Sequence, residues 1–194
     1  MGSIGSQAIR NSTGTESTHA ANLSWNEREA YLRSLGVSDP SLTAEVLSVY
    51  IQNPDRVGDY TKQINEFIEK SPKYKGKVYR GVVTDKDYKV GETLDEGKIS
   101  SWTSEHQVAR EYSGSSDYES ENAWNIDKGQ HAVIFVTENA GGVSISRFHS
   151  AGREKYHKEV ITPSSAKFTI TKVEEKTEGR RGVKVQYVYL RRKK

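Results

Sequence analysis

The sequence predicts an α+β fold, helices first and strands after. Three observations carry this. Apolar residues recur at helical spacing as far as Ser71-Pro72, they alternate at strand spacing from Lys75 onward, and no internal repeat is present. The chain has 194 residues. At about 150 residues per domain that is one domain with room for a tail. Hydrophobic residues make up 34%, charged residues 28%, and the mean hydropathy is −0.79, so the core is modest. No run approaches the roughly 18 apolar residues of a membrane helix. There is no cysteine, which excludes disulfides, thiolate metal sites and a cysteine nucleophile. A net charge of +3 is too small to mark a nucleic-acid-binding protein by itself.

Residues 1–22 are mostly Ser, Thr, Gly and Ala without a hydrophobic period, and are expected to be a disordered N-terminal tail. They lack the basic and apolar regions of a secretory signal peptide. Met1 to Ser6 matches M-G-x-x-x-[ST], which makes Gly2 a lipidation candidate. Many tails, engineered ones included, also begin Met-Gly-Ser. One myristoyl chain would give only weak, reversible membrane attachment.

Residues 23–194 are expected to form the single domain, a helical lobe at 23–72 and a β core at 75–191. Ser24-Trp25-Asn26-Glu27 is a capping-box pattern, Leu23, Ala30, Tyr31 and Leu35 follow at helical spacing, and Gly36 stops the helix. Asp39-Pro40-Ser41 opens a second helix with Leu42, Val46, Leu47 and Tyr50. Asn53-Pro54-Asp55 opens a third with Val57, Tyr60, Ile64, Phe67 and Ile68, ended by Ser71-Pro72. Strands are expected at 77–83, 98–103, 131–136, 142–145, 159–161, 166–173 and 183–190. Ser104 is expected to cap a short helix with Val108, Ala109 and Tyr112. Residues 113–130 read as a polar loop, and Gly141-Gly142 as a turn.

Three polar residues stand in or at the edge of apolar strands: Arg80 in Val78-Tyr79-Arg80-Gly81-Val82, Ser101 in Ser100-Ser101-Trp102-Thr103, and Glu159 in Glu159-Val160-Ile161. Each alone reads as a solvent-facing residue of a half-exposed sheet. The five histidines show no paired metal-ligand spacing, and no G-x-S-x-G or phosphate-loop motif occurs. Asp and Glu are abundant, so spacing alone leaves a two-carboxylate glycosidase open.

Taken in order, Tyr79-Arg80-Gly81, then Ser101-Trp102-Thr103-Ser104 running into Ala109-Arg110-Glu111-Tyr112, then Lys158-Glu159-Val160-Ile161, the chain resembles the mono-ADP-ribosyltransferases of the Arg–Ser–Glu class. These include clostridial-type toxins and bacterial type III effectors. The resemblance covers roughly residues 75–190. It implies a split barrel of two antiparallel β-sheets behind the helical lobe, with NAD+ as substrate and no metal. Arg80 would pair with the NAD+ phosphates through its planar guanidinium. Gly81, lacking a Cβ, would let the backbone approach the nicotinamide amide. Ser101 would orient Glu159, Thr103 would support the strand, and Glu159 would bond the nicotinamide-ribose 2′-hydroxyl.

His157 departs from the family, which carries Glu or Gln two positions before the catalytic Glu. Arginine as acceptor is therefore unsupported. A neutral imidazole there can act as a base near neutral pH, or be a solvated loop residue without a role. The loop at 146–158 would face the target, with Arg147, Phe148, Tyr156 and His157 as its recognition surface. Arg153, Lys155, Lys158 and the terminal Arg191-Arg192-Lys193-Lys194 add positive charge. A host protein is the expected target and nucleic acid the second class, although the acidic stretch with Asp117, Glu119, Glu121 and Asp127 interrupts any continuous basic track. The expected protein is a monomeric effector delivered into a host cell, in the cytoplasm or at the inner face of the plasma membrane. The competing expectation is a transferase-like scaffold that binds a partner without chemistry.

Overall fold

The computed structural model describes residues 15–16, 18–116, 126–150, 152, 156 and 158–194, and the chain in it is α+β. Helix α1 (Trp25–Leu35) starts where the Ser24 N–H donates to Glu27 Oε1 at 3.0 Å. It ends at Gly36, whose φ of 80° lets its N–H and that of Val37 turn back onto the last carbonyls. Helix α2 (Pro40–Gln52) is capped by Asp39, which accepts from Leu42 N at 3.1 Å, with Pro40 in the first turn where no N–H is needed. Such a cap is worth about 1 kcal/mol.

The expected third helix from Asn53 is instead two 3-10 turns (Pro54–Arg56 and Gly58–Tyr60) followed by α3 (Thr61–Lys70). The break falls at Gly58, whose φ of 46° lies outside the helical region. Only Val57, Ile64, Phe67 and Ile68 of the expected apolar face are buried; Tyr60 is half exposed.

Contacts among the described residues group them into two compact units. One comprises Met1–Lys75, Gly97–Ser100 and Gly141–Ser165; the other comprises Gly76–Glu96, Ser101–Ala140 and Ala166–Lys194. The first unit packs α1, α2 and α3 around Leu32, Leu47, Ile64, Phe67 and Ile68, with Ile99, Val143, Ile145, Phe148 and Ile161 in the same cluster. Burial of each such side chain is worth about 1.5–3 kcal/mol. The unit also holds the parallel pair β1 (Thr15–Glu16) and β2 (Lys73–Tyr74), and the antiparallel pair β7 (Val143–Ser144) and β8 (Glu159–Thr162). Gly142 is packed, not merely turned: a Cβ on it would stand 2.7 Å from Val160 Cγ1.

The second unit is a mixed sheet. Its strands β3 (Lys77–Thr84), β4 (Thr93–Asp95), β5 (Ser100–Thr103), β6 (His131–Glu138), β9 (Lys167–Glu178) and β10 (Val183–Arg192) lie in the order β4-β9-β10-β6-β3-β5. The expectation of purely antiparallel sheets is corrected here. β6 and β10 run parallel, Val185 beside Ala132 through Leu190 beside Thr137, because β10 returns from the β9 hairpin in the direction of β6. β9 extends five residues past its expected end, because Glu174 to Glu178 pair with β10 although they are polar. Helix α4 (His106–Tyr112) packs on β3 over Ala109, Ala132, Ile134, Val136, Val185 and Tyr187. Its first turn is set by Glu105, not Ser104, since Glu105 N donates to Thr103 Oγ1 at 3.0 Å. Among the described residues no helix is long and apolar enough to cross a membrane.

The contact between α4 and β3 passes through Gly81. A Cβ there would sit 1.9 Å from the Ala109 carbonyl oxygen and 2.9 Å from Ser113 N, both backbone atoms. Overpacking of this kind costs about 1–3 kcal/mol. Gly81→Ala is expected to lower the unfolding free energy by about that amount, read as a lower urea midpoint with an unchanged m-value.

Candidate active site

Arg80 lies on β3 opposite Phe135 of β6, and β3 is registered against β5 at Tyr79 and Thr103. Arg80 and Ser101 are therefore one and two residues from that pair on neighbouring strands. The Arg80 side chain is 17% exposed; its Nη2 meets Glu96 Oε2 at 2.8 Å, and its Nη1 is buried with no hydrogen-bond partner among the described residues. A guanidinium cannot lose its charge, and a buried N–H left without an acceptor is costly, so this edge of Arg80 is suited to an incoming acceptor. Tyr88 stands edge-on to Phe135 at 5.1 Å, its phenol pushed up mainly by burial and also influenced by Glu96 and Arg80. Ser101 is half-buried and Thr103 buried; the Thr103 hydroxyl is the acceptor that shapes the turn into α4.

Glu159 opens β8 in the other unit. Its carbonyl accepts from Ile145 N at 3.1 Å, which ties it to the residue after β7. Its side chain is 18% exposed, and Oε1 lies 3.3 Å from Nε2 of His149, itself only 7% exposed. His149 follows a 3-10 turn at Ser146–Phe148.

The supposed target-facing loop is corrected at two positions. Phe148 is 2% exposed and packs edge-on against Phe67 at 5.5 Å, so it belongs to the core. Arg147 is turned inward too: its guanidinium forks onto Glu16 at 2.7 and 3.4 Å and lies 4.5 Å over the Tyr31 ring. Burial pushes the Tyr31 phenol up to about 12. Tyr156 is half-buried. His157 and Gly2 lie outside the described residues.

The expectation of a disordered tail is corrected for its described end, because Glu16, Ala20 and Leu23 are bonded to this same loop. Lys75 N donates to the Glu16 carbonyl at 2.6 Å, and Leu23 N to the Arg147 carbonyl at 2.9 Å. The His19 ring stacks on Tyr74 at 4.9 Å, and its Nδ1 lies 2.7 Å from Ser144 Oγ. Ser144 in turn meets Ser146 Oγ at 3.2 Å, and Ser146 donates to the Ala20 carbonyl at 2.7 Å. A partly buried histidine–serine–serine chain of this kind has no signature in the sequence, where its members stand up to 127 residues apart by position number (146 minus 19).

A second polar cluster holds α4. His106 Nε2 lies 2.7 Å from Tyr187 Oη, Tyr187 bonds Glu178, and Glu178 Oε2 meets Arg110 Nε at 2.7 Å. Burial pushes His106 down and Tyr187 up, the latter helped by Glu178. Arg181 donates to the carbonyls of Gly114 and Ser116 at 3.1 and 2.9 Å. The first residues of the expected polar loop, Ser113 to Ser116, are therefore buried. Among the described residues no cluster of His, Asp or Glu could hold a metal ion.

No family model matches the sequence, and no curated protein does. Solved structures share the fold. The Vis toxin, an ADP-ribosyltransferase from Vibrio splendidus, is 20% identical, with a TM-score of 0.53 over 98% of this chain and 82% of that one. The type III effector XopAI from Xanthomonas axonopodis pv. citri is 16% identical, with a TM-score of 0.53 over 86% and 72%. Exoenzyme S from Pseudomonas aeruginosa, solved with human 14-3-3 protein beta and carba-NAD, is 13% identical, with a TM-score of 0.54 over 85% and 80%. The chain thus has the fold of ADP-ribosyltransferase toxins and effectors.

His19 sets a pH dependence of stability. Burial, then the charges of Lys158 and His149, lower its pKa from 6.5 to about 4. The folded protein therefore takes up this proton later than the unfolded chain, so stability is lost as pH falls from 6.5 toward 4 and is regained as it rises. Carboxylates titrate in the same window, so the readout is a difference. His19→Asn, which keeps a neutral partner for Ser144, is expected to flatten part of the fall in melting temperature between pH 6.5 and 4.

Proposed function

We propose that this protein is an NAD+-dependent mono-ADP-ribosyltransferase. The observation that carries the reading is the ordered set Arg80, Ser101 and Glu159 on strands of a fold shared with such enzymes. The buried Nη1 of Arg80, without a hydrogen-bond partner among the described residues, supports it, because a diphosphate is an anion suited to that guanidinium.

In this mechanism Arg80 binds the NAD+ diphosphate and the Gly81 backbone receives the nicotinamide amide. Ser101 orients Glu159 and Thr103 holds the strand bearing Ser101. Glu159 bonds the 2′-hydroxyl of the nicotinamide ribose. The bond between the ribose anomeric carbon and the pyridinium nitrogen breaks, and its electron pair leaves with nicotinamide, which departs neutral. The leaving group needs no proton, so one carboxylate suffices for cleavage. Positive charge develops on the ribose, as in glycoside hydrolysis, and a fixed carboxylate favours that state over the ground state. A nucleophile of the acceptor then bonds the anomeric carbon and gives up its proton; His157 is the candidate to receive it.

The acceptor class is a host macromolecule, a protein first. XopAI is a type III effector and exoenzyme S was solved with a human protein, which supports an effector delivered into host cells. A second reading has its own observation. Glu96 already neutralises one edge of Arg80, as it would in a scaffold that binds a partner without using NAD+.

Two measurements decide between them. Labelled NAD+ incubated with protein and host lysate is expected to release nicotinamide and label a macromolecule, and Glu159→Gln to reduce release by about 10²–10³-fold with the fold retained. Calorimetry is expected to show NAD+ binding that Arg80→Ala weakens and Glu96→Gln strengthens, since the latter removes a carboxylate competing with the diphosphate. A folded protein that neither binds nor cleaves NAD+ is a scaffold.

A further inference from the structure

We propose that His149 is a positioning residue for the Glu159 carboxylate, held in place by contacts from Glu16, Ala20, Leu23 and Arg28. The proposal rests on the reading of Glu159 given above and adds to it a residue outside the Arg–Ser–Glu set.

Three observations converge within one unit. His149 Nε2 is 3.3 Å from Glu159 Oε1, the two side chains being 7% and 18% exposed. A contact of this sort, sheltered from water, restricts the carboxylate more than a surface pair can. The histidine backbone is fixed at both ends: its N–H donates to the Ser146 carbonyl at 3.3 Å, and its own carbonyl accepts from Arg28 Nη2 at 3.2 Å. Arg28 is itself anchored, its Nε donating to the Leu23 carbonyl at 3.0 Å. The turn that delivers His149 is held by the Glu16–Arg147 fork on one side and the Ser146–Ala20 bond on the other. Phe148, wedged among the core residues, prevents the turn from rotating out.

The chemistry gives this arrangement a purpose. A carboxylate that stabilises a developing cation must keep one oxygen directed at the substrate, and a free Glu side chain rotates about three bonds. The imidazole edge, 3.3 Å from Oε1 though not aligned as a hydrogen bond, occupies the side of that oxygen and leaves Oε2 for the ribose. Residues that orient metal ligands change affinity or activity by about 10–100-fold when removed, and an effect of that order is expected for one that orients a catalytic carboxylate.

The test uses the full chain. His149→Phe keeps the ring volume and removes the polar contact; His149→Gln places an amide N–H at a similar reach. His149→Phe is expected to lower kcat for nicotinamide release by about 10-fold or more while KM for NAD+ stays within about 2-fold, and His149→Gln to recover most of the loss. Wild-type kcat in the Phe variant overturns the proposal, as does equal loss in both variants. Ring-nitrogen NMR provides an arm independent of activity. The His149 nitrogen resonances are expected to move in Glu159→Gln while those of His106 and His131 stay put; unmoved His149 resonances overturn the proposal even where the Phe variant fails to fold. Absence of nicotinamide release by wild type refutes the enzyme reading instead, and the nitrogen spectra then decide the contact by themselves.

Discussion

Fixing one carboxylate in a sheltered place is the constraint on which the remainder depends. A carboxyl group removed from water costs free energy unless polar neighbours replace the solvent. The Glu159 carboxylate has the His149 ring against Oε1, while its main chain is tied separately to Ile145. Those neighbours are not local accidents of the loop. They are held by a chain of contacts from Glu16, His19, Ala20, Leu23 and Arg28 that converges on residues 144–149. Residues Glu16, Ala20 and Leu23, ahead of the first helix, therefore help to hold the turn that carries His149.

Arg80 presents the complementary demand. Its charge is permanent and its surroundings are mostly protein, so every N–H without an acceptor is an energetic debt. Glu96 settles one of them and Nη1 remains. The same side chain is thus held by one carboxylate and keeps one buried N–H without a partner among the described residues. Gly81 next to it has a structural necessity of its own, because the α4 backbone occupies the space a side chain would need. A residue can serve folding and ligand approach together, and the two uses separate only when stability and affinity are measured on the same variant.

The parts legible in the sequence were those written in neighbouring residues. Ser24 with Glu27, Asp39 with Pro40 and Gly36 mark helix ends within four positions, and each appears as expected. The order Arg80, Ser101, Glu159 was visible because each interrupts or opens an apolar strand. Gly58 was missed as a helix breaker because the apolar period from Val57 to Ile68 runs through it. The short strands β1, β2 and β4 carry only two or three residues each, too few for alternation to show. Phe148 and Arg147 read as a recognition surface because an aromatic and a cation side by side in a loop look the same whether they face water or the core. Their partners, Phe67 and Glu16, are fixed by tertiary packing at long sequence separation. His149 and Glu96 were illegible for the same reason: neither stands at a helical or strand interval from the residue it touches.

A structure of the protein with a non-cleavable NAD+ analogue tests the central claim most directly. The account predicts the diphosphate within hydrogen-bond distance of Arg80 Nη1, and the nicotinamide ribose 2′-hydroxyl on the Glu159 carboxylate in the same complex. A dinucleotide bound elsewhere, or one that engages the arginine while Glu159 stays beyond reach of the ribose, contradicts it.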